Sequence, residues 1–330
     1  MKNHLYPRLL TRIIIIFVLL LSAHSALALT ISPPISELSG DPGSTIQGII
    51  KVYNETKDTV TVYASAANFT AKNGSDGEPQ FTDINQAVQT KDLASWIKVP
   101  TGAITVNPLD WQTIVFQITL PKDAEPGGHY AAVFFSPNNP AQAGNGAVTI
   151  DYKTGSLILL SVSGDVKQEG KLKSITLKDD KYFFEHIPVT TELMIENSGN
   201  LHFRPGGAVE IKNMLGQKVT DLPILNTDAG GNILPNSSRR YDVTWGGTDS
   251  QNLPQGFWNK VKYELSNFHL GKYTAVATVG LPQGMSEPMA VSFWLIPWQL
   301  IIVVILGLAI LWFIFRTYNR WIIKKARGGK

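Results

Sequence analysis

An uncharged, apolar run near the C-terminus, from Leu295 to Phe315, constrains this chain more than any other feature of its sequence. At about 1.5 Å of rise per residue, a helix over this run spans about 30 Å, the thickness of the hydrocarbon core of a bilayer. A helix also satisfies its own backbone hydrogen bonds in lipid, where no water is present to do so. The run therefore predicts a single transmembrane helix over 295–315.

Basic residues follow this run, and the segment 316–330 contains no carboxylate. Lysine and arginine beside a transmembrane helix mark its cytoplasmic side. At the other end of the chain, cations precede an apolar run, and Ala26-Leu27-Ala28 has the small residues of a cleavage site. We therefore expect a signal peptide over 1–28, an ectodomain outside the cytoplasm and a basic cytoplasmic tail over 316–330, which is a single-pass type I arrangement in the cell membrane. An uncleaved N-terminal anchor is the alternative, because 13–29 is just long enough to span a bilayer.

The charges are distributed in agreement with this topology. All 26 acidic residues lie between positions 30 and 294, so the ectodomain is acidic although the whole chain has a formal net charge of +3. The basic excess thus reports membrane topology and predicts no nucleic-acid partner. The chain contains no cysteine, so its ectodomain must be stabilised by a core without disulfides. This composition favours a bacterial surface protein.

Between the two apolar segments, the hydrophobic pattern has a period of two and is interrupted by turn residues. Residues 46–52 and 114–120 place an apolar or small side chain at every second position, which predicts half-buried strands. Turns recur about every 8 to 12 residues, the spacing of an all-β sandwich. Ser163-Gly164-Asp165 marks the predicted domain boundary. The sequence thus predicts an all-β fold of two tandem immunoglobulin-like β-sandwich domains, over 29–164 and 165–294, followed by the single transmembrane α-helix.

The two predicted domains repeat the same order of turn signals. Each has an Asn-centred turn after an apolar strand, then a proline-marked turn before an amphipathic strand, and finally Gly-x-Tyr at the start of a late strand. These residues are Asn54, Pro108 and Gly128-His129-Tyr130 in the first domain, and Asn197, Pro235 and Gly271-Lys272-Tyr273 in the second. We infer that both domains share one architecture.

Residues that carry catalysis or bind metals show no recognisable pattern. No two histidines of the ectodomain have metal-ligand spacing, and the sequence lacks a cysteine nucleophile, a Gly-x-Ser-x-Gly elbow and a phosphate-binding glycine loop. We therefore expect no catalytic residue, no metal site and no cofactor. Two alternatives stay open: a calcium ion held by Asp76, Glu78 and Asp83, and a glycosidase-type carboxylate pair, which spacing alone does not exclude.

The aromatic residues divide into two groups. Trp96, Trp111 and Trp245 stand at strand positions and are predicted to lie in the core. Phe257 and Trp258 stand in a polar stretch, which predicts an exposed aromatic pair on a loop. Such a pair binds a sugar or a protein partner through its rings, so we assign partner binding to Phe257 and Trp258. Packing of both rings in the core is the alternative.

The turn motifs resemble those of the WxL-interacting cell-surface proteins of Gram-positive bacteria. In the first domain the resemblance lies in 38–44, 108–121 and 126–130, and in the second it lies in 234–237 and 271–273. It implies that the first domain binds peptidoglycan and that the second binds another secreted or surface protein. No individual binding residue carries over from the resemblance.

Three functions are consistent with this organisation. The leading one is a non-catalytic binding and scaffolding protein, held in the lipid bilayer, that contacts cell-wall glycan and other envelope proteins. The second is a chaperone-like envelope assembly factor that presents a sheet edge to client proteins for strand addition. The third, for which the sequence offers least support, is an ectoenzyme.

Overall fold

The computed structural model describes residues 29–72, 77–81, 92–137, 153–224, 231–247 and 254–327. The chain divides into two compact units. The first comprises residues up to Phe69, Phe81–Glu125 and His129–Val162, and the second comprises Thr70–Gln80, Pro126–Gly128 and the chain from Ser163 onwards. The signal peptide predicted over 1–28 and two of the three candidate calcium ligands, Asp76 and Asp83, lie outside the described residues.

Two packed sheets form the N-terminal sandwich. The first sheet contains, in spatial order, β1 (Leu29–Ser32), β3 (Thr45–Asn54), β8 (Trp111–Thr119) and β6 (Ile97–Lys98). The second contains β2 (Ile35–Gly40), β10 (Thr154–Val162), β9 (Gly127–Ser136), β4 (Val60–Ala71) and β5 (Pro79–Phe81), and β7 (Ile104–Val106) also pairs with β4. A single helical turn, α1 (Leu93–Trp96), precedes β6.

The core of this sandwich lies between the two sheets. Ile50 and Phe116 from the first sheet and Phe135 and Ile158 from the second are fully buried in one cluster. Every second residue of β3 and of β8 faces this cluster, as the periodicity of two predicts. Burial of the inward side chains is the main free-energy contribution to folding for a chain without disulfides.

The C-terminal sandwich repeats the arrangement. Its first sheet contains β11 (Gly170–Leu177), β13 (Val189–Asn197) and β16 (Ser237–Trp245). Its second contains β12 (Phe183–Phe184), β19 (Met289–Leu295), β17 (Gly271–Leu281), β14 (Gly206–Lys212) and β15 (Lys218–Pro223), and β18 (Gly284–Met285) pairs with β17. A short 3-10 turn, η1 (Lys178–Asp180), connects β11 to β12.

The strand order of both sandwiches is that of an immunoglobulin-like fold. In each, the first strand pairs antiparallel in one sheet (β1 with β3, β11 with β13), and the chain then crosses to the other sheet. There a short strand runs parallel to the last strand of the sandwich (β2 with β10, β12 with β19). The predicted all-β, immunoglobulin-like fold class is therefore confirmed.

A buried asparagine organises the same turn in both sandwiches. The Asn54 side-chain amide donates to the carbonyl oxygens of Asp58 (2.7 Å) and Val106 (3.2 Å), and its oxygen accepts from the Thr56 N–H (3.0 Å). Asn197 does the same, because it donates to Leu201 (2.9 Å) and Ile233 (2.8 Å) and accepts from the Gly199 N–H (2.9 Å). The repeated asparagine signal in the sequence thus has one physical cause: it satisfies backbone groups that the turn leaves unpaired.

The proline-marked turns also match. Leu109 follows Pro108, Asn236 follows Pro235, and both have a φ of 53°. A proline sets the φ of the first turn residue, and the next residue then enters the left-handed region, which reverses the chain into β8 or β16.

Two helices of the second unit differ from the sequence-based expectation. α2 (Phe257–Ser266) occupies the stretch that was predicted as a loop. α3 (Trp298–Arg327) begins later than the predicted transmembrane helix over 295–315, because Leu295 still pairs with Gly271 in the sheet. It also continues through most of the predicted basic tail. In the part of the chain that the structure describes, one helical segment, Trp298–Lys324, is long and apolar enough to cross a membrane.

The tryptophans divide differently from the prediction. Trp96 and Trp245 are buried, as expected, but the prediction that Trp111 lies in the core is wrong, because 45% of its surface is exposed. Trp111 is at an outward position of β8, where it packs against Tyr53 of β3 with ring centroids 5.0 Å apart. The alternation of β8 itself carries this information, since Ile114, Phe116 and Ile118 occupy the opposite face.

The buried asparagines lead to a stability prediction. Asn197→Ala removes three hydrogen bonds in a buried turn, so we expect the free energy of unfolding to fall by about 2–4 kcal/mol. Asn259→Ala, at an exposed asparagine with one hydrogen bond to the Gln255 carbonyl, is the matched control and should lower it by less than about 1 kcal/mol. Denaturant titration of the full chain in detergent, followed by circular dichroism, measures both. Equal losses would contradict the role given to Asn197.

Candidate functional site

A polar site with four side-chain hydrogen bonds lies where α3 leaves the second sandwich. Only Ile296 and Pro297 separate the end of β19 from the start of α3. The Ile296 N–H donates to the Phe184 carbonyl of β12 at 2.9 Å, and the Ile301 N–H donates to the Pro297 carbonyl at 3.0 Å. Both residues of the connection between β19 and α3 therefore take part in backbone hydrogen bonds.

The Glu185 carboxylate, directly after β12, binds the start of α3. It accepts hydrogen bonds from the Trp298 indole N–H (2.9 Å) and the Gln299 side-chain amide (3.0 Å). Lys260 of α2 donates to the same carboxylate at 2.9 Å. These bonds, with the one from Trp298 contributing most, lower the pKa of the Glu185 carboxyl from its ordinary 4.5 to about 2. Glu185 is thus charged at any physiological pH.

Glu264 of α2 acts from the other side. Its carboxylate accepts the Leu300 N–H at 2.7 Å, so it satisfies one of the backbone donors that the first turn of α3 leaves free. The residue is fully buried, and burial raises the pKa of the Glu264 carboxyl above its ordinary value. Its second oxygen and the side-chain oxygen of Gln299 are buried and have no hydrogen-bond partner among the described residues.

The sequence of α2 explains why both acidic contacts converge on this point. Gly256, with a φ of 83°, turns the chain into the helix, and the Lys260 N–H bonds to the Gly256 carbonyl at 3.1 Å. Lys260 and Glu264 are four residues apart and lie on one face of α2, towards α3. We call Glu185, Lys260, Glu264, Trp298 and Gln299 the junction cluster.

The predicted partner-binding residues lie beside this cluster. Phe257 and Trp258 form the first turn of α2 rather than a loop, and Trp258 is 69% exposed. The alternative prediction, that both rings pack in the core, is wrong because both side chains are exposed. The ring of Phe257 lies 5.4 Å from that of Trp258 and 6.4 Å from that of Trp298. Their binding role stays a prediction, but their position places them next to the start of the apolar helix.

Sequence reasoning missed Glu185, Lys260 and Glu264. None of them belongs to a recognisable sequence motif, and their partners are far away along the chain. The one available signal was Gln299, the single amide near the start of an otherwise apolar run. A polar side chain at that position must find a partner when it is buried, as Gln299 is.

An open cleft adjoins Glu185 on the first sheet of this unit. It has a volume of about 410 Å3 and is lined by polar and charged side chains, among them Lys178, His186, Thr190 and Asp242, together with Phe184 and Pro188. Thr190 and Thr244 share a hydrogen bond of 2.9 Å across its floor. Within the described ranges, no group of side chains has the arrangement of a metal site, and Glu78, the described candidate calcium ligand, pairs with Lys72 at 3.5 Å.

The first unit has a separate exposed feature, the outward face of β3 and β8. Cross-strand pairs there are Gln47 with Gln117, Ile49 with Val115, Lys51 with Thr113, and Tyr53 with Trp111. We call this set the ladder face. Ile49, Val115 and Trp111 are 54%, 51% and 45% exposed. Outward residues of a sandwich are usually polar, so large apolar side chains in adjacent pairs are unusual there.

No protein-family model and no curated protein matches this chain. Among solved structures, similar chains include fimbrial chaperones. A chain from a chaperone–tip adhesin complex of CFA/I fimbriae is 12% identical, with a TM-score of 0.36, over 81% of this chain and 98% of its own length. The class 5 fimbriae chaperone CfaA is 11% identical, with a TM-score of 0.34, over 82% and 100%. The E. coli chaperone DraB is 12% identical, with a TM-score of 0.33, over 81% and 97%.

The junction cluster leads to a pH-dependent prediction. Because the pKa of Glu185 is about 2 in the folded chain and 4.5 ordinarily, its contribution to stability is present above pH 4.5 and is lost as the pH falls towards 2. We expect Glu185→Gln to lower the denaturation midpoint of the full chain in detergent at pH 7. The difference from the unmodified chain should shrink below pH 4.5.

The matched control is Glu196→Gln, at an exposed carboxylate that pairs with Lys173 at 3.3 Å. Exposed ion pairs contribute little, so this variant should keep the midpoint of the unmodified chain. Tryptophan fluorescence during denaturant titration, repeated at several pH values, reports both. A Glu185→Gln midpoint that matches the control at pH 7 would show that the cluster does not stabilise the chain.

Proposed function

We propose that this chain is a non-catalytic, membrane-anchored surface protein of a bacterial envelope that binds cell-wall glycan and holds other envelope proteins. The observation that carries the proposal is the ladder face of the first unit. The apolar helix α3 supplies the anchor, and the junction cluster attaches the second sandwich to it without a long linker. The chain is then a scaffold that displays a binding face outside the membrane.

The chemistry of the ladder face suits a glycan. The faces of the Tyr53 and Trp111 rings, 5.0 Å apart and inclined at 39°, form an apolar platform on which the C–H faces of sugar rings stack. Gln47 and Gln117 each offer two donors and an acceptor for sugar hydroxyl and acetamido groups. Lys51 adds a cation next to Tyr53, opposite Thr113. Glycan chains of the cell wall present such C–H faces, hydroxyl groups and acetamido groups, which supports peptidoglycan as the ligand of this face.

Strand addition to a sheet edge, the mode of a chaperone-like assembly factor, is the second candidate function, and three of the described edges disfavour it. Edge strands β6 and β12 have two residues each, too few for extended pairing. A third edge strand, β15, carries the Lys218–Asp221 ion pair and ends at Pro223. Charged side chains and proline are features that protect an edge from pairing. Among the described residues, the longer edge strands β11 and β16, with eight and nine residues, offer room for an added strand. Binding through a face is therefore preferred because of the exposed aromatic pair of the ladder face, and not because of the edges.

The proposal is tested by sedimentation with insoluble peptidoglycan. We expect Tyr53→Ala/Trp111→Ala in the detergent-solubilised full chain to reduce the sedimented fraction, with a loss of affinity of about tenfold or more, because aromatic anchors typically contribute about 2 kcal/mol at a binding hot spot. The melting temperature should stay close to that of the unmodified chain, since Trp111 is outside the core.

Tyr182→Ala/Phe183→Ala is the matched control, because it removes another exposed aromatic pair from the same chain and should leave sedimentation unchanged. Retention of glycan by the Tyr53/Trp111 variant at full affinity would refute the assignment of the ladder face. Co-purification of unfolded clients that does not depend on Tyr53 or Trp111 would favour the assembly-factor function instead.

A further inference from the structure

We infer that the end of the second sandwich from which α3 emerges is seated in the outer bilayer interface through a rim of exposed apolar side chains. This inference rests on the proposed membrane anchoring by α3. The rim consists of side chains from two segments that are distant in sequence: Met214, Leu215, Trp258, Leu265 and Phe268. Each of these residues is between 57% and 75% exposed.

The β14–β15 hairpin brings Met214 and Leu215 to this end. β14 runs antiparallel to β17, so that Gly206 pairs with Gly280 and Lys212 with Thr274. The turn after Lys212 therefore lies near the start of β17, where Gly271 pairs with Leu295, the last residue before the connection to α3. A Cβ on Gly271 would lie 2.8 Å from the terminal methyl group of Met214, which shows how close the turn is to that pair.

α2 brings the other three residues to the same end. Glu264 of α2 binds the Leu300 N–H, so its neighbour Leu265 lies within one turn of the start of α3. The chain from the end of α2 to Gly271 contains Phe268, and it leads directly to the strand pair with Leu295. Trp258 packs edge-on against Phe257, whose ring contacts that of Trp298.

The level of the bilayer follows from α3. Trp298 is the first residue of the segment that is apolar enough to span a membrane, and tryptophan is enriched at the interface between headgroups and acyl chains. Residues that surround Trp298 therefore lie at the depth of the headgroups. In water their exposure would be unfavourable, whereas at the interface an amphipathic helix such as α2 buries its apolar face. Continuity with α3 thus identifies lipid as the occupant of the rim.

The polar side of α2 fits this placement. Lys260 and Glu264 lie on the face of α2 that belongs to the junction cluster, while Trp258 and Leu265, seven residues apart, lie on another face.

The far end of the same sandwich offers a comparison. Met285, next to the β17–β18 turn, is 67% exposed, but it pairs with Gly280 near the opposite end of β17, about 30 Å along the strand from Gly271.

The test uses the absence of cysteine from the natural sequence. Single variants Leu215→Cys, Trp258→Cys, Met285→Cys and Ile305→Cys of the full chain are spin-labelled and reconstituted into phosphatidylcholine/phosphatidylglycerol vesicles at a high lipid-to-protein ratio. Power saturation then compares accessibility to oxygen, which partitions into lipid, with accessibility to a water-soluble nickel complex. We expect the ratio of oxygen accessibility to nickel-complex accessibility at positions 215 and 258 to exceed the ratio at position 285 several-fold.

The remaining outcomes separate this inference from the proposed anchoring. Position 305 lies inside α3, so an aqueous label there would show that α3 does not insert and that the proposed anchoring itself fails. A lipid-exposed label at 305, together with labels at 215 and 258 as aqueous as that at 285, would overturn the rim alone. Protection at 215 and 258 from both reagents, which disappears on dilution with lipid, would show that a second copy of the chain covers the rim, and this would also overturn the inference.

Discussion

The hydrogen bonds between Glu185 and the first residues of α3 are the interaction on which the organisation of the second unit depends. A helix that leaves a sandwich through two residues can pivot freely unless its first turn is held. Here the Trp298 indole and the Gln299 amide bind a carboxylate at the end of β12, and Glu264 binds a backbone N–H of the same turn. The direction of α3 is thereby coupled to the sheet.

This coupling brings two carboxyl groups to the start of α3, where hydrogen bonding and burial decide their protonation. Glu185 keeps its charge because three donors surround it, and its pKa falls to about 2. Burial raises the pKa of Glu264, although the hydrogen bond from the Leu300 N–H acts in the other direction. Glu264 is therefore protonated before Glu185 as the pH falls. Charged Glu185 holds α3 through side chains, whereas Glu264 completes the hydrogen bonding of the helix backbone, a contact that also limits fraying of the first turn.

Local sequence patterns predicted those parts of the fold that local physics determines. The period of two identified β3 and β8, and repeated asparagines identified turns whose buried amides make the same three bonds in both sandwiches. The apolar run identified α3, although its start was placed three residues early because Leu295 is equally apolar in a strand. Phe257 and Trp258 were recognised as exposed, but the helix that carries them was missed, since a ten-residue helix depends on its contacts with α3 more than on its own propensity.

The candidate sites were harder to predict because their residues meet only in three dimensions. Glu185 precedes its partners Trp298 and Gln299 by more than one hundred residues, and no local pattern links them. Trp111 was assigned to the core because it stands at a strand position, whereas its place in the alternation of β8 puts it outside, opposite Tyr53. The position of a tryptophan in the strand alternation is thus more informative than its residue type about whether the side chain lies in the core or on an outer face.

The central claim, that the junction cluster holds α3 in one direction relative to the second sandwich, is tested most directly by a distance measurement. A Met285→Cys/Leu308→Cys variant of the full chain, spin-labelled in lipid nanodiscs, reports the distance between the far end of the sandwich and the middle of α3 by pulsed electron paramagnetic resonance. The account predicts a single narrow distance distribution that broadens when Glu185→Ala is added. A distribution that is already broad with Glu185 intact would show that the connection is a hinge, and it would contradict the account.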